Sequence, residues 1–132
     1  MNAFSSSVYQ SLLLAFPEWE NIQLADSELL ELEILCPYKS SVGGLVIQTT
    51  DDNSIWIRNH QPCTAFLIDS SEEMLELIRD ILSDTVFWAV GYKSNKWYET
   101  TLLSTLTQLE VEKGVEYQIL SWSGKHDQII SL

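Results

Sequence analysis

Positive charge is scarce in this chain. Seven lysines and arginines stand against nineteen aspartates and glutamates in 132 residues, a formal net charge of −12. So few cations argue against nonspecific nucleic-acid binding, because phosphates are repelled. The same field attracts and steers a basic partner. Cysteine is scarce too: Cys36 and Cys63 are the only two. That is too little for a disulfide scaffold and fits reduced thiols in a cytoplasmic protein, although the sequence leaves a Cys36–Cys63 bridge open. No apolar run approaches the ~20 residues of a membrane span. The start MNAFSSSVYQ holds no base and is too polar for a signal peptide. A phosphate-binding glycine loop is missing, since Gly43-Gly44 lacks the spacing and the lysine. The G-x-S-x-G elbow is missing as well.

What is present is a folding composition, 45% hydrophobic and 11% aromatic. The length suits one domain, residues 1–132, around a single core. The clearest element is the stretch DSSEEMLELIRDILSD, Asp69 to Asp84. Ser70 with Glu73 three residues on makes a capping box. Met74, Leu75, Ile78, Ile81 and Leu82 recur at helical spacing and form one apolar stripe, with Glu72, Glu73, Glu76, Arg79 and Asp80 opposite. Strand-like runs flank it, so the helix packs on a sheet. A first helix is predicted over Phe4 to Phe16, capped by Ser5, Ser6 or Ser7 and stopped by Pro17.

Glu28 to Cys36 reads as a strand with Leu30, Leu32 and Ile34 on one side and Glu31 and Glu33 on the other. Leu45–Thr50 and Ser54–Asn59 form a hairpin over Asp51-Asp52-Asn53. A three-residue loop sets Ile47 against Ile57 and Thr49 against Ile55, and Gln48 against Trp56 and Val46 against Arg58. A two-residue loop mixes the faces. The three-residue loop is therefore predicted, with Asn53 in the left-handed conformation. Thr64–Ile68 is a short strand. Val86–Tyr92 and Trp97–Leu103 form a second hairpin in which Tyr92 faces Trp97. Thr105–Lys113 reads as a loop, Val115–Trp122 as a strand, Ser123-Gly124-Lys125 as a turn and Gln128–Ile130 as a last short strand. The fold class expected is α+β: a mostly antiparallel sheet packed by the central amphipathic helix and the N-terminal helix.

Chemistry is sparse. His60, Cys63, Cys36 and His126 lack the short spacing of a zinc knuckle. Ser121, His126 and Asp127 are packed in one turn, where a serine triad needs convergence from separated positions. The turn reading is preferred there, with Asp127 bonding a neighbouring amide. No catalytic residue, metal or cofactor is predicted. Trp56, on the more polar face of its hairpin, and Trp97, with Tyr92 and Tyr98 near a hairpin tip, are the two places where an exposed aromatic anchor serves recognition.

The whole chain, small, strongly acidic and without a catalytic motif, resembles bacterial immunity proteins of contact-dependent inhibition and related polymorphic toxin systems. The segments carrying the resemblance are GLVIQTTDDNSIWIRN (44–59), SSEEMLELIRDIL (70–82), WYETTLL (97–103) and YQILSWSGKHD (117–127). The resemblance implies a non-enzymatic protein that binds one cognate toxin domain, often a basic nuclease, and blocks its active site or substrate surface. Steered by charge, carboxylates then occupy phosphate positions on the toxin. The partner-binding candidates are Glu31, Glu33, Asp51, Asp52, Trp56, Glu72, Glu73 and Glu76. The rivals are an acidic adaptor or nucleic-acid mimic that inhibits another basic protein, and a small enzyme built on a deep pocket.

Overall fold

A computed structural model describes all 132 residues. Helix α1 spans Ala3–Ala15 and a 3-10 turn, Pro17–Asn21, follows it. Strands β1 (Glu31–Leu35), β2 (Gly44–Thr49), β3 (Ile55–Asn59) and β4 (Phe66–Ile68) pair antiparallel in sequence order as a first sheet. Helix α2 (Ser71–Leu82) leads into β5 (Phe87–Lys93), β6 (Lys96–Leu103), β7 (Val115–Leu120) and β8 (Gln128–Ile130). These form a second antiparallel sheet in the order β6-β5-β7-β8. The fold is α+β as the sequence implies, but its strands divide between two four-stranded sheets. β1 is also shorter than read, because Glu28 and Leu29 lie outside the ladder.

The hairpin registers follow the alternation. Ile47 faces Ile57, Thr49 faces Ile55 and Gln48 faces Trp56, with Asn53 at φ 61°. In the second hairpin Tyr92 faces Trp97, and Ser94 and Asn95 both take positive φ, closing a tighter turn than the four residues read as loop. A bulge at Gly91/Tyr92 makes Tyr98 the extra residue of β6.

Two caps differ from expectation. α1 starts earlier, on Asn2, whose Oδ1 accepts the Ser5 N–H at 2.8 Å. Ser5 is itself buried, its hydroxyl 2.6 Å from that of Thr49, so it ties the helix to the sheet instead of capping it. At α2 the Ser70 hydroxyl accepts the Glu73 N–H at 3.2 Å, but no return bond from the Glu73 carboxylate completes the box. The segment read as loop over 105–113 contains a 3-10 turn, Leu106–Gln108. The Gln108 side chain holds its start, accepting N–H bonds from Ser104 (2.7 Å) and Thr105 (3.3 Å).

One core joins the parts. Leu32, Ile34, Leu45, Ile47, Ile55 and Ile57 of the first sheet meet Val8 and Leu12 of α1, Met74, Ile78 and Ile81 of α2, and Trp88, Val90 and Leu120 of the second sheet. The second sheet also buries its other face. β6 and β7 both run antiparallel to β5, so they are parallel to each other, and residues 104–114 must cross back over that face. Leu109 and Val111 of this crossover cover Phe87, Ala89, Leu103, Val115, Tyr117 and Ile119.

The two sheets are latched at Ser121–Asp127. Asp127 accepts from the Ser121 N–H (2.7 Å) and from the Ser41 N–H (3.2 Å). Asp84 accepts from the Ser123 N–H (3.0 Å), and the Cys36 thiol donates to the Trp122 carbonyl (3.1 Å). This is the structural turn that the sequence suggested, with Gly124 at φ +84°.

Candidate protein-binding surface

β1 alternates Glu31, Leu32, Glu33, Ile34, Leu35, and the core takes the even positions. The other face of the first sheet is more open: Glu31, Glu33, Leu35 and Leu67 on it are exposed, Gln48, Trp56 and Arg58 are half-buried, and Val46 is buried. The registers place Glu31, Gln48, Trp56 and Leu67 in one row across all four strands, and Glu33, Val46 and Arg58 in the next. At a strand spacing of roughly 4.8 Å, the first row spans about 14 Å.

Its chemistry is acidic with apolar patches. Gln48 donates to Glu31 Oε1 at 3.2 Å and accepts from Arg58 Nε at 3.3 Å. The one arginine of this face is therefore held through a neutral amide, leaving both glutamates free of a guanidinium. Glu33 Oε1 lies 3.5 Å from His60 Nε2. The His60 ring rests on the Gly43-Gly44 backbone, where a Cβ on Gly44 would stand 2.7 Å from Nε2 and 2.9 Å from the Ile34 carbonyl oxygen. Leu35 is 69% exposed and Leu67 53%, large values for leucines in strands. Trp56, directly opposite Leu67, is half-buried.

Asp51 and Asp52 sit exposed at the β2–β3 tip, beyond the row of Glu31 and Trp56. Hydrogen bonds, first from the Thr50 hydroxyl and then from Ser54, hold the Asp52 carboxyl below the usual carboxylate range. Glu72, Glu73 and Glu76 are exposed on α2. The buried stripe of that helix packs on the core side of the first sheet, so the sheet separates these three from Glu31 and Glu33. The eight candidates thus fall into two surfaces: Glu31, Glu33, Asp51, Asp52 and Trp56 form one continuous region, and the helix acids form another. Leu35, Gln48, Arg58 and Leu67 belong to the first region and were missed. For Leu35 the signal was the alternation of β1, and for Gln48 and Arg58 it was the hairpin face they share with Trp56; Leu67 carried none.

The pairs weighed for other chemistry have structural surroundings. The His126 ring stacks on Phe87 at 4.4 Å. The Ser121 hydroxyl donates to Asp127 Oδ1 and accepts from the His126 backbone N–H, so these residues build a turn. Both cysteines are free, Cys36 half-buried and Cys63 exposed. No helix is long and apolar enough to cross a membrane. Comparison of the chain with protein-family models, curated proteins and solved structures finds no match.

A second acidic region escaped the sequence reading. Between β6 and the crossover lies a cleft of 560 Å³ whose walls carry Glu99, Glu110 and Glu112. The Tyr117 hydroxyl fastens it, accepting the Glu112 N–H (3.3 Å) and donating toward Glu99 Oε1 (3.1 Å) and the Glu110 carbonyl (3.2 Å). Burial first, and then the hydrogen bond and charge of Glu99, push the Tyr117 phenol up. Hydrogen bonding to Glu112 and that carboxylate's charge push Tyr98 up as well. Acids at every second position, 110 and 112, in this loop are the available sign in the sequence.

Proposed function

We propose that the protein is a cytoplasmic immunity protein, acting by binding and not by catalysis, that neutralises a cognate basic toxin, a nuclease domain above all. One observation carries this reading. The single ion pair in the molecule is His60–Glu33, so no lysine or arginine neutralises any of the nineteen acids at contact distance. Carboxylates left without a lysine or arginine partner project their charge outward and steer a cationic partner. The more open face of the first sheet supports the reading further, because it adds exposed Leu35 and Leu67 and half-buried Trp56 to Glu31 and Glu33. Apolar anchors within a charged surround are what a tight interface uses. A nuclease is favoured among basic partners because its phosphate positions accept carboxylates.

The test is stopped-flow association across a salt series with a basic nuclease toxin domain, taken from the neighbouring gene where that gene encodes one. The on-rate should be fast at low salt and fall markedly as salt rises, since exposed charges are screened beyond about 8 Å at physiological ionic strength. The off-rate should change less. Charge reversal at Glu31 and Glu33 should raise the off-rate if they sit at the centre of the interface, and reversal at Asp51 and Asp52 should mainly slow association from its rim. An on-rate indifferent to salt would remove the main support for a basic partner.

A further inference from the structure

Strand β6 is an edge, with β5 as its sole sheet neighbour. It is eight residues long, and Trp97, Tyr98 and Thr101 on it are exposed. On such a strand alternate residues point N–H and C=O away from the ladder. Outside that ladder no backbone hydrogen bond uses residues 97–102. The Cys63 loop approaches, but its carbonyl meets the Thr100 hydroxyl (2.5 Å), not the strand backbone. Long edges are ordinarily blunted by proline, by inward charge or by a covering segment. β6 has no proline, and its bulge and its lysine lie at the hairpin end.

The same strand forms one wall of the acidic cleft. Glu99, Thr101 and Leu103 line it, opposite Glu110 and Glu112, and no lysine or arginine does. By alternation these three side chains share one side of β6. A strand added along the edge would therefore set every second side chain over the cleft. We propose that β6 and this cleft form a docking site for an extended segment of a partner protein bearing lysine or arginine at alternate positions. The backbone of the segment pairs along β6, and its cations reach Glu99, Glu110 and Glu112. Tyr117 fixes both walls beforehand, which lowers the ordering cost of binding. A second copy of this chain is a poor occupant, because each copy carries a charge of −12. The surface lies on the second sheet, so strand addition here and toxin capture on the more open face of the first stand or fall separately.

The probe is a capped peptide of alternating lysine and valine, titrated into the isotope-labelled protein and followed by amide chemical shifts. Shifts are expected on residues 96–103 and 108–112. Affinity should fall about tenfold or more in the triple variant Glu99→Gln, Glu110→Gln, Glu112→Gln, in line with lost charged hydrogen bonds. It should be lost when the peptide is N-methylated along its pairing edge, and be unchanged in Glu31→Gln, Glu33→Gln. Shifts centred on residues 31–35 or 72–76, equal binding of the N-methylated peptide, or no shifts at millimolar peptide would each overturn the proposal. Should the triple variant fail to fold, the N-methyl comparison on the unaltered protein decides alone.

Discussion

The two sheets match in strand number and antiparallel pairing and differ in what lies on their outer faces. The first has one packed face and one that is more open. The second is packed on both, by the shared core and by the crossover. The difference is written in the burial of single strands. β1 alternates exposed and buried residues along its length. β5 is buried at Phe87, Trp88, Ala89, Val90 and Gly91 in succession. A strand with water on one side alternates, as β1 does, and a strand covered on both sides need not; β2, buried from Gly44 to Ile47, shows that the first sheet opens to water at its outer strands more than at its middle. The more open face of the first sheet thus exposes side chains that the core does not use, whereas the second sheet exposes such side chains mainly along β6.

The largest effect should come from the core that both sheets share. Ile78→Ala is expected to destabilise the protein by about 2–5 kcal/mol, as for other large-to-small core changes. Denaturant melts should show it, with both sheets losing hydrogen-exchange protection together. Next comes the covered face. Tyr117→Phe removes the hydroxyl that ties the crossover to Glu99, at a cost of about 0.5–1.5 kcal/mol, since its partners are part-exposed. Its loss of protection should concentrate in residues 99–117 and spare β1–β3; an even loss would mean that the two faces of the second sheet are not separable.

A pH titration makes the same distinction without mutation. The Tyr117 phenol is raised in the folded state, so the native form binds the more protons in that range. The stability from this group is fully present below pH ~10, where an unfolded tyrosine titrates, and is lost as pH rises through the folded value. Alkaline unfolding followed by tyrosinate absorbance should start in the second sheet, and Tyr117→Phe should abolish that early phase. The smallest effect belongs to the more open face of the first sheet. Glu33→Gln and Leu35→Ser should each stay within about 0.5 kcal/mol of the parent in melts, as exposed positions do. A larger loss would show that this face holds the fold together.

Much of the first sheet was legible because water on one side imposes a period of two. The faces of β1 and the register of β2 with β3 come directly from Leu32, Ile34, Ile47, Ile57 and their charged neighbours. The α2 stripe was legible for the same reason at period 3.6. The division into two sheets was not, since alternation tells which way a side chain points and not which sheet receives it. Thr105–Lys113 is a loop with one 3-10 turn, close to its sequence reading, but its covering role is not legible, because Leu109 and Val111 are two apolar residues in a polar run and the surface they cover comes from strands on either side of them in sequence. The candidate binding region was half legible. Acid content singled out Glu31 and Glu33 with the α2 glutamates alike, and only the packing separates them.

The latch at Ser121–Asp127 has a consequence in time. It joins Cys36 to Trp122 and Ser41 to Asp127, each across 86 positions of chain. Contacts in β1–β4 are local by comparison, because those strands pair in the order in which they are made. Closing a long loop costs more chain entropy than closing a short one. As the polypeptide leaves the ribosome, the first sheet can therefore form as a meander while its seam to the second still waits for the last residues. Until then Trp122 has not taken its place in the core and Cys36 has no carbonyl to meet. A chain that stops short of the latch is left with an unsealed seam, open to aggregation or proteolysis, however complete its first sheet is.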